Sequence, residues 1–504
     1  MTAQTKLAQT KQTQSPIPQD IFQYLNIPGP TFLTQPKLKF LHAFFNKLNN
    51  HTTIDHQTKP HIFNIFNTKF AFIATNAKIS TLSELENYKR KFIIMSHIDH
   101  PGLIIEPTKQ FGLGSLYLNK VIKNKPPNAI LYDQNGNLIA KIKITKYLNP
   151  NIEYKITQIL NKQLKNVLKT DSDISKEQWQ TLKTQYKINA LFGLWDTTQK
   201  TPNNQAQNIN QAFIKNHKLY ATALDNDIVT VLALHIAKNL AQQEHASTKT
   251  TQKIPTVFVF TKYEEVFQIS SYNLAKSNIL SITQKDMILN LESMKVNEEI
   301  PNPEKYSNLN YENGPIVSCC EKFLNYTDYQ YQNQNTNSKN KKTNLLYQLL
   351  QKTATRNKLH VQFGCASGST DAKFFAYFKQ TPNIVTLNIP NKHKHNVNEH
   401  GEIVPESINL NHYTTAYKLL TDFSQLISNN KITPNINTKN TNIPHNSITN
   451  INFLKHKELV ALRLTYAFNC YIHEHFCYNC FKCKLFKLFS YIPWALKKLT
   501  QKSV

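Results

Sequence analysis

Residues 256–265 read Thr-Val-Phe-Val-Phe-Thr-Lys-Tyr-Glu-Glu. An unbroken run of β-branched and aromatic residues predicts a short strand buried on both faces, the kind that builds parallel sheets. Two acids, Glu264 and Glu265, stand directly after it. In open α/β sheets, ligand sites collect at the carboxyl ends of the strands. The stretch therefore predicts a fold and also the edge of that fold where chemistry sits.

Similar runs recur on either side. Residues 70–74, 91–95, 287–291 and 384–389 predict further buried strands, and 36–48, 228–240 and 344–353 carry apolar residues at helical spacing. Strands alternating with helices predict an α/β fold with a mixed, largely parallel sheet flanked by helices. Residues 103–215 change character. They hold β-like segments at 129–132 and 138–144 around an Asn135-Gly136 turn, and a polar stretch at 171–185. They read as an inserted β-rich module.

Composition narrows the function. The chain has 504 residues, 40% of them hydrophobic, with a mean hydropathy of -0.46, which excludes wholesale disorder. No apolar run reaches the length of a membrane-spanning helix. The N-terminal residues lack the apolar stretch of a secretory leader, and 7 Cys without regular spacing do not make a disulfide framework. A reducing cytoplasm is the expected compartment. The net charge of +27 invites a nucleic-acid reading, but Arg90, Arg356 and Arg463 are the only arginines. Arginine is the bidentate reader of guanine and phosphate, so no specific nucleic-acid partner is expected.

Five short segments carry metal-type ligands, most of them just after a buried strand. They are Ser-His-Ile-Asp-His-Pro-Gly with His97 and Asp99, Ala-Leu-Asp-Asn-Asp with Asp225, the Glu264-Glu265 pair, Asn-Leu-Glu-Ser with Glu292, and Pro-Asn-Lys-His-Lys-His with His393 and His395. A ligand histidine commonly donates its second ring N–H to a carboxylate, and His-x-Asp supplies that pair locally. Adjacent acids are common in solvated turns. Here, however, the whole chain has only 32 acids, and several of them fall at strand ends and a helix start. Carboxylate and imidazole without thiolate suit Zn²⁺, Mn²⁺ or Co²⁺ and argue against a structural zinc.

In this order, and with Asn313-Gly-Pro-Ile and Gly368-Ser-Thr-Asp-Ala-Lys, the motifs resemble the co-catalytic di-metal aminopeptidases of the glutamyl-aminopeptidase and tetrahedral-aminopeptidase type. The resemblance runs from about residue 25 to about 416. It implies a zinc-peptidase-like catalytic domain at 19–103 and 215–427, interrupted at 104–214 by a small β-barrel-like domain that drives homo-oligomer assembly. It implies two divalent metal ions per chain, zinc first and cobalt or manganese next. Asp225 would bridge them, His97 and Glu292 would complete one, and Glu265 and His395 the other. Asp99 would orient His97. Glu264 would be the general base in the removal of N-terminal residues from peptides. The alternatives are a related di-zinc carboxypeptidase or deacylase, and a degenerate, non-catalytic peptide-binding or assembly protein.

The chain departs from the family pattern at several points. His100 stands where an acid is usual, Asp227 where Arg is usual, Phe267 where Gly is usual, and Glu292 where Asp is commoner. The final Tyr-x-His is His393-Lys394-His395. Outside the resemblance, residues 1–18 read as a disordered tail and 428–450 as an Asn/Thr/Pro-rich linker. Residues 451–504 form a tail rich in Cys, aromatic and basic residues. Its run at 485–499 has the composition for weak contact with a membrane surface.

Overall fold

The computed structural model describes residues 15–50, 62–107, 110–112, 127–148, 151–197, 210–246, 254–265, 268–295, 309–321, 324–325, 344–364, 370–398 and 400–428. An 11-stranded mixed sheet forms its centre. Phe92–His97 lies between Thr256–Thr261 and Met287–Met294, and the latter lies beside Asn383–Lys392, all in parallel. Antiparallel strands extend both sides. Ala71–Thr75 and Asn64–Asn67 add next to Thr256–Thr261, and Glu406–Asn409, Lys218–Ala221 and Phe213–Lys215 add beyond Asn383–Lys392. The α/β expectation holds, with the parallel portion confined to the middle. The edges include hairpins whose short turns can join only antiparallel partners.

The strand Thr256–Thr261 shows why the middle is buried. Phe258 and Phe260 point into one core, shared with the helices Gln35–Asn50, Leu224–Ala246, Leu345–Arg356 and Leu410–Ser428. Val257 and Val259 point into a second core, shared with Ile269–Ser277 and Ala372–Tyr377. Phe92 and Ile94 against Ile93 and Met95 repeat the alternation one strand over. Each such buried side chain is worth roughly 1.5–3 kcal/mol relative to exposure. Ile17 already belongs to the first core, so packing begins ahead of position 19.

Between His97 and the return to the main sheet, the chain closes a small barrel. Its strand order is Leu103–Ile105, Gln110–Gly112, Asn151–Ile159, Leu138–Leu148, Asn128–Tyr132, Leu191–Trp195. The turn before Leu138 uses Gly136 at φ +83°, and Asp133 Oδ1 accepts the backbone N–H groups of Asn135 and Asn137. Ser175 and Gln178 form a capping box at the start of the helix Lys176–Gln185, which sends Trp179 and Leu182 into the barrel core.

Apart from Ser428, which ends the helix Leu410–Ser428 rather than opening a linker, the linker and the C-terminal tail read from the sequence lie outside the described residues, as do Phe267 and Gly368. Among the described residues no helix is long and apolar enough to cross a membrane.

Candidate active site

Because the central strands run parallel, their carboxyl ends share one edge. His97 is the last residue of Phe92–His97, Glu264 and Glu265 follow Thr256–Thr261, Glu292 lies near the end of Met287–Met294, and His395 follows Asn383–Lys392. Asp225 comes from the first turn of Leu224–Ala246. Residues nearly 300 positions apart in the chain thus meet at one edge of the sheet.

Two groups of side chains that could hold a cation share Asp225, and a third joins His97, Glu264 and Glu265. The donor atoms of His97, Asp225 and Glu292 lie within 4.8 Å of one another, and so do those of Asp225, Glu265 and His395. The two carboxylate oxygens of Asp225 face different imidazoles. Oδ1 is 3.8 Å from His97 Nε2, and Oδ2 is 2.8 Å from His395 Nε2. Glu292 Oε1 is 3.6 Å and Glu264 Oε2 3.9 Å from His97 Nε2, while Glu265 Oε1 is 3.5 Å from His395 Nε2. His97 Nε2 is buried and makes no hydrogen bond. An imidazole nitrogen surrounded by carboxylate oxygens just beyond hydrogen-bond range suits a cation held among them. The residues present therefore fit the divalent ions that the fold family implies.

A second layer holds these groups. His97 donates Nδ1–H to the Asp99 carbonyl at 2.9 Å, and the Asp99 carboxylate lies 3.5 Å from the same nitrogen. That carboxylate accepts the backbone N–H groups of Glu264 and Glu265 and the Thr31 hydroxyl. Glu406 accepts the backbone N–H of Asp225 at 2.7 Å and also that of His395. His100 is buried and donates Nδ1–H to the Asp225 carbonyl at 2.6 Å, so at the position where an acid is usual it braces a proposed ligand through the backbone. Asp227 meets a cation from elsewhere in the chain. Lys37, on the helix Gln35–Asn50, reaches Asp227 Oδ1 and the Ile98 carbonyl. Gly29 makes room for it, since a Cβ there would lie 2.2 Å from Lys37 Cε.

The electrostatics follow from burial and crowding. Burial raises the Glu264 carboxyl well above the usual range, and Glu265, Glu292 and Asp371 push the same way against His97. Burial also raises Glu265, against the pull of His395. Asp225 is held well below the ordinary carboxylate value. Burial works to raise it, but Lys394, His395 and His97 prevail. Glu406 is pushed up to about 8 by burial and by the Asp225 charge. His100 is pushed down to about 4 by burial, against Asp225.

Sequence reading named His97, Asp99, Asp225, Glu264, Glu265, Glu292 and His395, and the fold brings all of them together. Lys37 and Glu406 stand outside the motifs, and Lys394 and His100 enter them only as departures from the family pattern. Lys394 Nζ lies 3.1 Å from Asp225 Oδ1 and 3.2 Å from Glu292 Oε1.

A mixed sheet with a parallel centre, a barrel inserted after its first site strand, and imidazoles and carboxylates at the strand ends define the zinc-peptidase-like α/β class. Within that class, residues 206–404 match the family model described as M42 glutamyl aminopeptidase. The chain thus resembles the glutamyl and tetrahedral aminopeptidases, and a peptidase is the activity class that the match supports. Solved structures share the fold at low identity. An aminopeptidase from the archaeon Desulfurococcus kamchatkensis is 14% identical with a TM-score of 0.51, covering 81% of this chain and 94% of that one. A TET aminopeptidase from a marine-sediment Thaumarchaeota archaeon is 13% identical with a TM-score of 0.51, covering 81% and 96%. The dodecameric PhTET1 is 14% identical with a TM-score of 0.50, covering 80% and 97%. No curated protein matches the chain.

Proposed function

We propose that this chain is a metal-dependent aminopeptidase that removes N-terminal residues from peptides in the cytoplasm. The observation that carries the reading is the pair of ligand sets joined at Asp225, with Glu264 beside them. His97 and Glu292 would hold one ion with Asp225, and Glu265 and His395 the other. Zinc suits this donor set best, with cobalt or manganese as alternatives. Such ions, when bound, polarise a carbonyl and make water acidic enough to attack it at neutral pH.

The chain's own residues supply the rest. Glu264 takes a proton from the attacking water and passes it to the leaving amine. Burial suits it to the first act, because a raised carboxyl accepts a proton more easily. Asp99 fixes the turn that presents Glu264. Catalysis belongs to residues 19–103 and 215–427. The chain assembles into a homo-oligomer, a reading to which the dodecameric fold neighbour lends support, and the module at 104–214 is our candidate for the surface that mediates it.

The test is a substrate panel on the purified chain with and without chelation. Turnover of leucyl-, glutamyl- or lysyl-amides that chelation abolishes supports the proposal. Turnover of acyl-amino acids alone moves it to the deacylase reading, and full activity after exhaustive chelation refutes it.

A further inference from the structure

Lys394 sits between His393 and His395 in the chain, yet its ammonium points into the cluster. Nζ lies 3.1 Å from Asp225 Oδ1, 3.2 Å from Glu292 Oε1 and 2.8 Å from the Ser293 carbonyl. An ammonium has three N–H groups and here meets three oxygens. The two carboxylate oxygens are the same atoms that face His97 Nε2. Lys394 therefore lies on the Oδ1 side of Asp225, the side of one ligand set, while Oδ2 turns to His395. A zinc ion needs its oxygen ligands at about 2.0–2.2 Å, and an ammonium hydrogen-bonded to the same oxygens competes for their lone pairs and repels the ion. In the other set, Asp225 Oδ2, Glu265 and His395, Lys394 acts on Glu265 through its charge, less strongly than on Asp225 and Glu292.

We propose that the Lys394 ammonium is a built-in competitor for the cation position formed by His97, Asp225 and Glu292, so that the two positions differ steeply in affinity. The Asp225–Glu265–His395 position fills first. The second ion enters only when Lys394 withdraws, and its side chain, 21% exposed, has a route to solvent. This rests on the metal-dependent reading above and adds a property that no motif in the sequence carries.

The experiment is a Co²⁺ titration of the chelator-stripped full chain, followed by visible absorbance and by calorimetry, for wild type, Lys394→Met and Lys394→Arg. Thermal unfolding of each variant confirms that it is folded. Wild type should bind in two steps whose affinities differ on the order of a hundredfold. Lys394→Met, which keeps the stem and removes the charge, should tighten the second step by roughly tenfold or more and the first far less. Lys394→Arg should keep the wide gap. Identical constants in wild type and Lys394→Met, or equal tightening of both steps, would overturn the inference while leaving the metal reading intact. No Co²⁺ binding by any of the three proteins would overturn the inference together with the reading on which it rests.

Discussion

The carboxylate of Asp99 accepts the backbone N–H of Glu264 at 3.0 Å, and its other oxygen accepts that of Glu265 at 3.2 Å. The same residue accepts the His97 ring N–H through its own carbonyl. Asp99 thus couples three groups of the site through two kinds of acceptor. Asp99→Asn would keep the carbonyl but replace one carboxylate oxygen by an NH₂ that faces another donor. The expected outcome is a loss of roughly 10–100-fold in metal affinity and in kcat, because the turn carrying both acids loosens. Metal titration and steady-state kinetics check this, and unchanged values for both would show the carboxylate to be dispensable.

Glu264 and Asp225 differ in what they should lose. Glu264→Gln removes a base and no proposed ligand, so kcat should fall on the order of 10²–10⁴-fold with bound metal retained. Asp225→Asn replaces the shared carboxylate of both ligand sets by a neutral amide and should lose metal as well as turnover. Metal analysis beside kinetics separates the two. A Glu264→Gln variant near wild-type turnover would place the base elsewhere.

What could be read from the sequence was what lies close together in it. The strand Thr256–Thr261 was visible because its apolar run is unbroken, and the site acids because they stand at the ends of such runs. Glu406 offered nothing local. It meets Asp225 across 181 positions, and only the closure of the sheet makes it a partner. Lys37 looked like one polar position of an amphipathic helix, and its buried role depends on Gly29 and Asp227. Two further elements do carry local signals. Ser175 and Gln178 stand at capping-box spacing inside what reads as a polar stretch. Tyr413, Ala416, Leu420, Phe423 and Ile427 carry helical spacing through Leu410–Ser428. The edge strand Phe213–Lys215 and its neighbour Lys218–Ala221 were invisible because such short, Lys-bearing segments have no periodicity to read.

The Lys37–Asp227 pair is fully buried beside the cluster. Removing one member leaves the other charge uncompensated, which in buried pairs costs about 3–5 kcal/mol. Lys37→Met should therefore destabilise the chain by that order in urea unfolding. The double variant Lys37→Met/Asp227→Leu should recover much of the loss, because no buried charge is left unpaired. If the double variant is as unstable as the sum of the two singles, the pair is not energetically coupled.

The last prediction concerns acid and lies away from the site. His235 stacks on Tyr417 with ring centroids 3.8 Å apart, and its Nδ1 lies 3.1 Å from the Tyr413 hydroxyl. Burial, with Lys238 adding to it against Asp20, pushes its pKa down to about 4. In the unfolded chain the same imidazole titrates near 6.5. Between those values the unfolded state binds a proton that the folded state refuses, so folding stability falls as pH drops from about 6.5 toward 4. Above about 6.5 the imidazole is neutral in both states and the contribution is fully present. His235→Phe keeps an aromatic ring for the stack and removes the titrating group. Its urea midpoint should therefore fall less than that of wild type between pH 7 and pH 4.5. A parallel decline of the two proteins over that interval would assign the acid sensitivity to other groups.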